Sequence, residues 1–303
     1  MLREETLFGT VDKVADAIKR LQTFQPKDRP YWLAFSGGKD SCVILALVKM
    51  AGVNYEAHYS VTSVDPPELV RFIKREYPDV SFDIPKDKDG KPITMWSLIK
   101  EHSVPPTRIA RYCCEHLKES SGVGTITITG VRWAESSNRK NNQGMITITD
   151  KKAKKITKQT NANFSINSRG GVVLNNDNTE TRQTVEFCFR KSKTLLNPII
   201  DWEDEDVWEF IHKYSIPYCE LYDQGHKRLG CIGCPMCGGF LMKREFERYP
   251  KYRANYIRAF NKMVEIRNER HLKTMWQDGE DVMAWWVGDL KFNDQDELTL
   301  FDE

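Results

Sequence analysis

A chain of 303 residues, 40% hydrophobic and 11% aromatic, has the composition of a globular protein and the length for one large core or two modest ones. Its 45 Lys and Arg against 43 Asp and Glu leave a formal charge of +2, so no global field marks it for a polyanion. No run of about 18 apolar residues occurs, and the opening MLREETLFGTVDKVADAIKRL carries acids at amphipathic spacing, so the expectation is a cytoplasmic protein with no leader and no membrane partner.

Within a first segment of residues 1–27, Val11, Val14, Ala15, Ile18 and Leu21 recur at helical spacing and predict a helix over 10–24. Tyr31 to Phe35 reads as a strand, Cys42 to Met50 as a helix ended by Gly52, Asn54 to Ser60 as a strand and Pro67 to Tyr77 as a helix. Val80 to Ile84, Thr94 to Glu101, Thr107 to Glu119 and Gly124 to Thr129 continue as strand, helix, helix and strand. This alternation predicts an α/β fold, a parallel sheet with helices on both faces, occupying a nucleotide-binding domain of residues 28–140. Residues 141–193 are polar and Asn-rich with a basic start, and read as an insertion, either a hairpin excursion or a mobile loop. Its Lys151 to Lys158 cluster can touch a polyanion, though a solvated face is the commoner fate of such a run. Residues 194–240 return to the catalytic domain with an acid-led helix from Glu203 through Tyr214 and a cysteine-bearing loop. A helical extension, 241–303, places Tyr252, Tyr256, Phe260, Met263 and Ile266 on one face, as a core requires.

The sharpest signal is Ser36-Gly37-Gly38-Lys39-Asp40-Ser41 between a strand and a helix. Paired glycines let successive N–H groups converge on an anion, the helix start adds its positive end, Ser36 and Ser41 add hydroxyls, and Lys39 adds charge. The spacing is not that of a Walker A loop. Asp40 suits either a helix cap or a metal on the phosphates. Arg132 and Arg139 offer planar forks to phosphate or sulfate, with Glu135 and Ser136 between them, and Arg111, Lys118 and the run His226-Lys227-Arg228 add further positive charge.

Of eight cysteines, Cys113 and Cys114 are adjacent, and Cys231, Cys234 and Cys237 stand at CxxCxxC spacing with Cys219 upstream. That pattern favours metal or redox chemistry over a disulfide framework. Cys42 and Cys188, in apolar surroundings, read as small buried hydrophobes. Spacing alone leaves zinc and iron–sulfur both open.

At the SGGKDS loop the chain resembles the PP-loop ATP pyrophosphatase superfamily, with its adenine nucleotide α-hydrolase-like fold. The resemblance implies that Mg-ATP is cleaved between its α and β phosphates, with Lys39, Asp40 and Arg132 catalytic and Ser36, Gly37, Gly38, Ser41, Gly130 and Arg139 completing the nucleotide site. RYCCEHLKE at 111–119, TGVRWAESSNR at 129–139, NPIIDWEDEDVWEFI at 197–211 and IPYCELYDQGHKRLGC at 216–231 narrow the likeness to the phosphoadenylylsulfate and adenylylsulfate reductases, over most of 28–240 apart from the insertion. Iron–sulfur members of that family hold a [4Fe-4S] cluster on a Cys-Cys pair and a later CxxC. That implies Cys113, Cys114, Cys231 and Cys234, with Cys219 and Cys237 as alternates and zinc as the other metal.

Cys219, Cys231, Cys234 and Cys237 also form a local set that resembles the sulfur-transfer proteins of DNA phosphorothioation. The family's reductases carry a C-terminal Glu-Cys-Gly-Leu-His tail, whereas this sequence closes with NDQDELTLFDE, which turns the expectation away from sulfate reduction. The expected function is therefore an ATP pyrophosphatase that adenylylates an acceptor, for example DNA, for cluster-assisted sulfur transfer. A cysteine desulfurase or other donor would supply the sulfur, and the chain would act as a homo-oligomer or complex subunit. A sulfonucleotide reductase using Cys219 or Cys237, and a non-catalytic nucleotide-sensing subunit, are the alternatives.

Overall fold

The structure is a computed structural model that describes residues 1–6, 9–119, 121–149, 153–190 and 192–291. Lys151 and Lys152 of the basic cluster and the closing NDQDELTLFDE lie outside the described residues. The chain opens with a hairpin, β1 (Arg3–Thr6) against β2 (Gly9–Asp12). The helix expected from residue 10 therefore starts later, as α1 (Lys13–Thr23), where the Asp12 carboxylate accepts from the amides of Val14 and Ala15. Its buried stripe is Val14, Ala17 and Leu21, so Val11 and Ala15 are not core residues as the periodicity suggested.

Three strands alternating with two helices follow: β3 (Tyr31–Ala34), α2 (Lys39–Ala51), β4 (Tyr55–Ser60), α3 (Pro67–Glu76) and β5 (Ser81–Asp83), each close to its expected place. Next come α4 (Met95–His102), whose start is closed by a reciprocal Thr94–Ser97 capping box, and α5 (Tyr112–Cys114). The long helix expected over 107–119 is this one turn followed by a π-type turn at Glu115–Glu119. Then follow β6 (Ile126–Ile128), α6 (Ser137–Asn142), β7 (Ile146–Ile148), α7 (Ala153–Thr160), β8 (Ser165–Ile166), β9 (Val172–Leu174), α8 (Thr179–Cys188), β10 (Thr194–Leu196) and α9 (Asp204–Lys213). Last are α10 (Gly239–Arg248), α11 (Pro250–Glu269) and α12 (Gly279–Trp286). Among the described residues no helix is long and apolar enough to cross a membrane.

Among the described residues eight strands form one mixed sheet, parallel in its first half and antiparallel in its second, in the order β5-β4-β3-β6-β10-β7-β9-β8. The pairs β4–β3, β3–β6 and β6–β10 are parallel, and β10–β7, β7–β9 and β9–β8 antiparallel. The stretch read as an insertion, a hairpin excursion or a mobile loop, thus supplies three strands of the sheet, with β8 and β9 paired as an antiparallel hairpin. Every residue of β6, β7 and β9 is buried, as strands covered on both faces require.

Packing divides the chain into two compact units, the first of Met1–Tyr59, Glu68–Asp83 and Ser121–Leu229, the second of Ser60–Pro67, Ile84–Ser120 and the chain from Gly230 on. The first holds the sheet, and α1 is fastened within it by Arg20 on the Asp201 carboxylate (2.9 and 2.7 Å) and by Lys13 on Asp206 (2.6 Å). The second packs α4, α10, α11 and α12 around Leu98, Ile99, Phe246, Tyr256, Phe260, Met263 and Trp286. Its cysteine loop is pinned where the Ile232 amide donates to the Val64 carbonyl (2.8 Å) and the Tyr256 hydroxyl to the Ile232 carbonyl (3.1 Å).

Candidate nucleotide site and thiol cluster

Strand β3 sends the chain through α2 to β4 on one side, while β6 lies on its other side, so the loop after β3 sits at a topological switch point, where open α/β sheets bind ligands. Gly37 turns the backbone with φ +72°, and a Cβ there would lie 2.7–2.8 Å from Ile73 and Leu69 side-chain carbons, so glycine is required twice over. The Ser41 hydroxyl donates to the Gly38 carbonyl (2.8 Å) and accepts from the Ser36 amide (3.3 Å), which staples the loop shut on itself. Gly38 begins α2 without a side-chain cap.

The charges beside that helix start form one network. The Lys39 ammonium, 4% exposed, lies 2.7 Å from one carboxylate oxygen of Asp204 and 3.4 Å from Asp40. Arg132, 3% exposed, reaches Asp40 through Nε (2.7 Å), the same Asp204 oxygen through Nη2 (2.8 Å) and the Trp202 carbonyl through Nη1 (3.3 Å). Burial works against Asp204's charge, yet the hydrogen bonds and charges of Lys39 and Arg132 prevail and hold its pKa below the ordinary value.

Gly130 plays its part by being small: a Cβ would come within 2.9 Å of Asp40 Cβ and 3.2 Å of its carbonyl carbon, so the end of β6 can close on α2 only with glycine there. Arg139 joins this network only through Glu135, whose carboxylate also accepts from the Arg132 amide (3.1 Å). Glu135 also meets Arg228 at 3.7 Å, and burial first, then Arg228, lower the pKa of Arg139.

Asp204 is the member that motif reading missed; its acid-led helix looked like dipole chemistry alone. Asn197 is the other. Fully buried just past β10, it meets the Thr129 hydroxyl beyond β6 and donates to the Gly144 carbonyl (2.7 Å) before β7, fixing three strand ends beside the site.

The second unit gathers Cys113, Cys114, Cys231, Cys234 and Cys237. Cys113 and Cys231 pack against its apolar core, and Cys113 feels the charges of Cys114, Cys231 and Cys234. A hydrogen bond with Cys113 lowers the Cys114 thiol to about 5, aided by Arg111 at 3.5 Å, and raises Cys113 in turn. Burial raises Cys231, which lies 3.6 Å from the Thr62 hydroxyl, while the charge of Cys231 raises Lys118. Cys234 is raised first by its contact with Cys237, the exposed member.

Arg111 and Lys118 thus attend thiols. Cys219 belongs to the first unit, where it is fully buried near Cys42. Cys42 and Cys188 are buried as expected. Among the described residues no three His, Cys, Asp or Glu side chains stand at metal-ligating positions. The donor set itself, soft thiols faced by two cations that offset thiolate charge, fits a soft metal or cluster chemically.

A glycine-bearing loop at the carboxyl end of β3, with buried Lys39 and Arg132 beside it, is the arrangement of an α/β protein of the PP-loop, adenine nucleotide α-hydrolase-like class. The family model described as the phosphoadenosine phosphosulfate reductase domain matches residues 30–237. The chain belongs to the phosphoadenosine phosphosulfate reductase family.

An uncharacterized protein of Methanocaldococcus jannaschii is 26% identical over 266 residues, covering 84% of this chain and 50% of the relative. A second from the same organism is 24% identical, covering 84% and 47%. The chain spans about half the length of these relatives. An adenosine 5'-phosphosulfate reductase of Geobacillus thermodenitrificans is 36% identical over 66 residues, 20% of this chain and 27% of the relative. Among solved structures, a phosphoadenylyl-sulfate reductase from Candida auris superposes with a TM-score of 0.42 at 16% identity, covering 71% of this chain and 88% of that one. A Candida glabrata FMN adenylyltransferase gives 0.41 at 16%, covering 73% and 64%.

Proposed function

We propose that this chain is an ATP pyrophosphatase. It seats the terminal phosphates of Mg-ATP on Ser36–Ser41, joins AMP to an acceptor oxygen with release of pyrophosphate, and so makes that oxygen a leaving group for incoming sulfur. The observation that carries this is the convergence of Lys39 and Arg132 on one oxygen of Asp204 at the amino end of α2, at 2.7 and 2.8 Å. Two cations held there in advance by Asp204 would stabilise the charge that develops on departing pyrophosphate. Asp40, which pairs with Arg132 at 2.7 Å, would carry the magnesium.

Cys113, Cys114, Cys231 and Cys234 would hold a [4Fe-4S] cluster, or zinc, which would supply a soft site for sulfide when bound. Arg111 and Lys118 would balance its thiolates. A cysteine desulfurase-type donor and a phosphoester acceptor such as DNA fit this chemistry. The test is pyrophosphate release from Mg-ATP: the wild-type protein releases it and Lys39→Ala is slower on the order of 100-fold. Equal rates in the two proteins would sink the assignment.

A second reading is favoured by the 66-residue likeness, at 36% identity, to an adenosine 5'-phosphosulfate reductase. In that case adenylylsulfate with reduced thioredoxin yields sulfite, and Mg-ATP yields no pyrophosphate.

A further inference from the structure

Tyr222 belongs to the loop after α9, and its hydroxyl accepts a hydrogen bond from the Lys39 amide at 2.9 Å. That amide is the first N–H of α2, behind a Gly38 that offers no capping side chain, and in a phosphate loop it is among the donors a phosphate oxygen takes. The placement of Tyr222 is built in. Its amide bonds to the Cys219 carbonyl (3.1 Å), the Gly225 amide returns to its own carbonyl (3.0 Å), and the flanking Cys219 and Leu221 are both fully buried. The ring stands edge-on to Trp208 of α9, with centroids 5.4 Å apart and planes at 87°. Burial raises the phenol's pKa, so the hydroxyl stays neutral.

We infer that Tyr222 is an internal competitor for the phosphate site, holding the Lys39 amide until a phosphate oxygen displaces its hydroxyl. One N–H makes one strong hydrogen bond, and an oxygen already 2.9 Å from the nitrogen excludes a second from the same position. The charged groups of the first unit follow the same pattern, with Lys39 and Arg132 on Asp204 and Arg139 and Arg228 on Glu135. The displaced bond weakens every phosphate ligand by the same factor, so a small anion such as orthophosphate, with few contacts, is left bound only weakly, whereas a pyrophosphate group, which spans several donors at once, still binds.

This inference rests on the loop being the nucleotide site, and calorimetry separates the two ideas. Pyrophosphate and Mg-ATP are titrated into the full chain as wild type, Tyr222→Phe and Tyr218→Phe. The last removes a phenol that donates to Asp223 (3.1 Å) and serves as a control. The expected result is binding by the wild type, about 2- to 10-fold tighter binding of pyrophosphate by Tyr222→Phe, as loss of one competing hydrogen bond implies, and no change in the control. Orthophosphate, weak on the wild type, should gain by a similar factor on Tyr222→Phe. Unchanged or weaker pyrophosphate binding by a folded Tyr222→Phe overturns the competitor role while leaving the nucleotide site standing. No binding by any of the three proteins overturns both.

Discussion

Asp204 ties the loop to Arg132, since a single oxygen accepts from Lys39, 165 positions away, and from Arg132, 72 away. Its depressed pKa has a definite sign. The stability it contributes is complete above the ordinary carboxylate range and is lost as pH falls through its lowered folded value. Acid titration of unfolding should therefore show a steeper low-pH limb in the wild type than in Asp204→Asn, and coincident limbs would refute the assignment. Gly130→Ala makes a different prediction. With its Cβ 2.9 Å from that of Asp40, urea denaturation should show a loss of about 1–3 kcal/mol. Pyrophosphate release should fall as Asp40 is pushed aside. The loop was legible in the sequence because six adjacent residues carry its whole logic. Asp204 was not, because its partners are distant in the chain and an acid at a helix start has a sufficient local reason to be there.

Among the elements, the β3–α2–β4–α3–β5 run was readable because its strands and helices are bounded by glycine, proline or polar turns. The added strands were not. β7 and β9 have three residues each and β8 two, too short for any periodicity to register, and only pairing across the sheet identifies them. The misplaced start of α1 has a local cause: Asp12 caps the helix and turns the apolar Val11 into a hairpin residue. Helix α1 depends in turn on Lys13 and the fully buried Asp206 side chain. Asp206→Ala should cost about 3 kcal/mol in chemical denaturation, because it leaves Lys13 without its carboxylate. Hydrogen exchange should show α1 loosening first, and an unchanged α1 would argue against the pair as its anchor.

At the scale of the whole molecule, the SGGKDS loop with Arg132 and the thiol group fall in different compact units, a division the sequence hid because the second unit is assembled from three separate stretches of chain. Two sets of variants should then separate cleanly. Lys39→Ala should lose pyrophosphate release and keep the iron and labile sulfide counted after anaerobic purification. Cys231→Ser should lose the iron and keep the thermal shift given by Mg-ATP, while Cys219→Ser should keep both. Iron content unaffected by Cys231→Ser, or abolished by Cys219→Ser, would contradict the ligand set.

The place of β10 has a consequence for biosynthesis. It is the strand that joins the parallel part of the sheet to the antiparallel part, with Leu195 opposite Thr127 on one side and Thr147 on the other. On the ribosome, β6 and β7 emerge well before it and must wait with unpaired edges until residue 196 has cleared the exit tunnel. The sheet is thus completed late, by a single short strand entering between two finished neighbours. A nascent chain stalled before Leu196 would expose two bare β-edges and should be a preferred client for chaperones and a ready nucleus for aggregation.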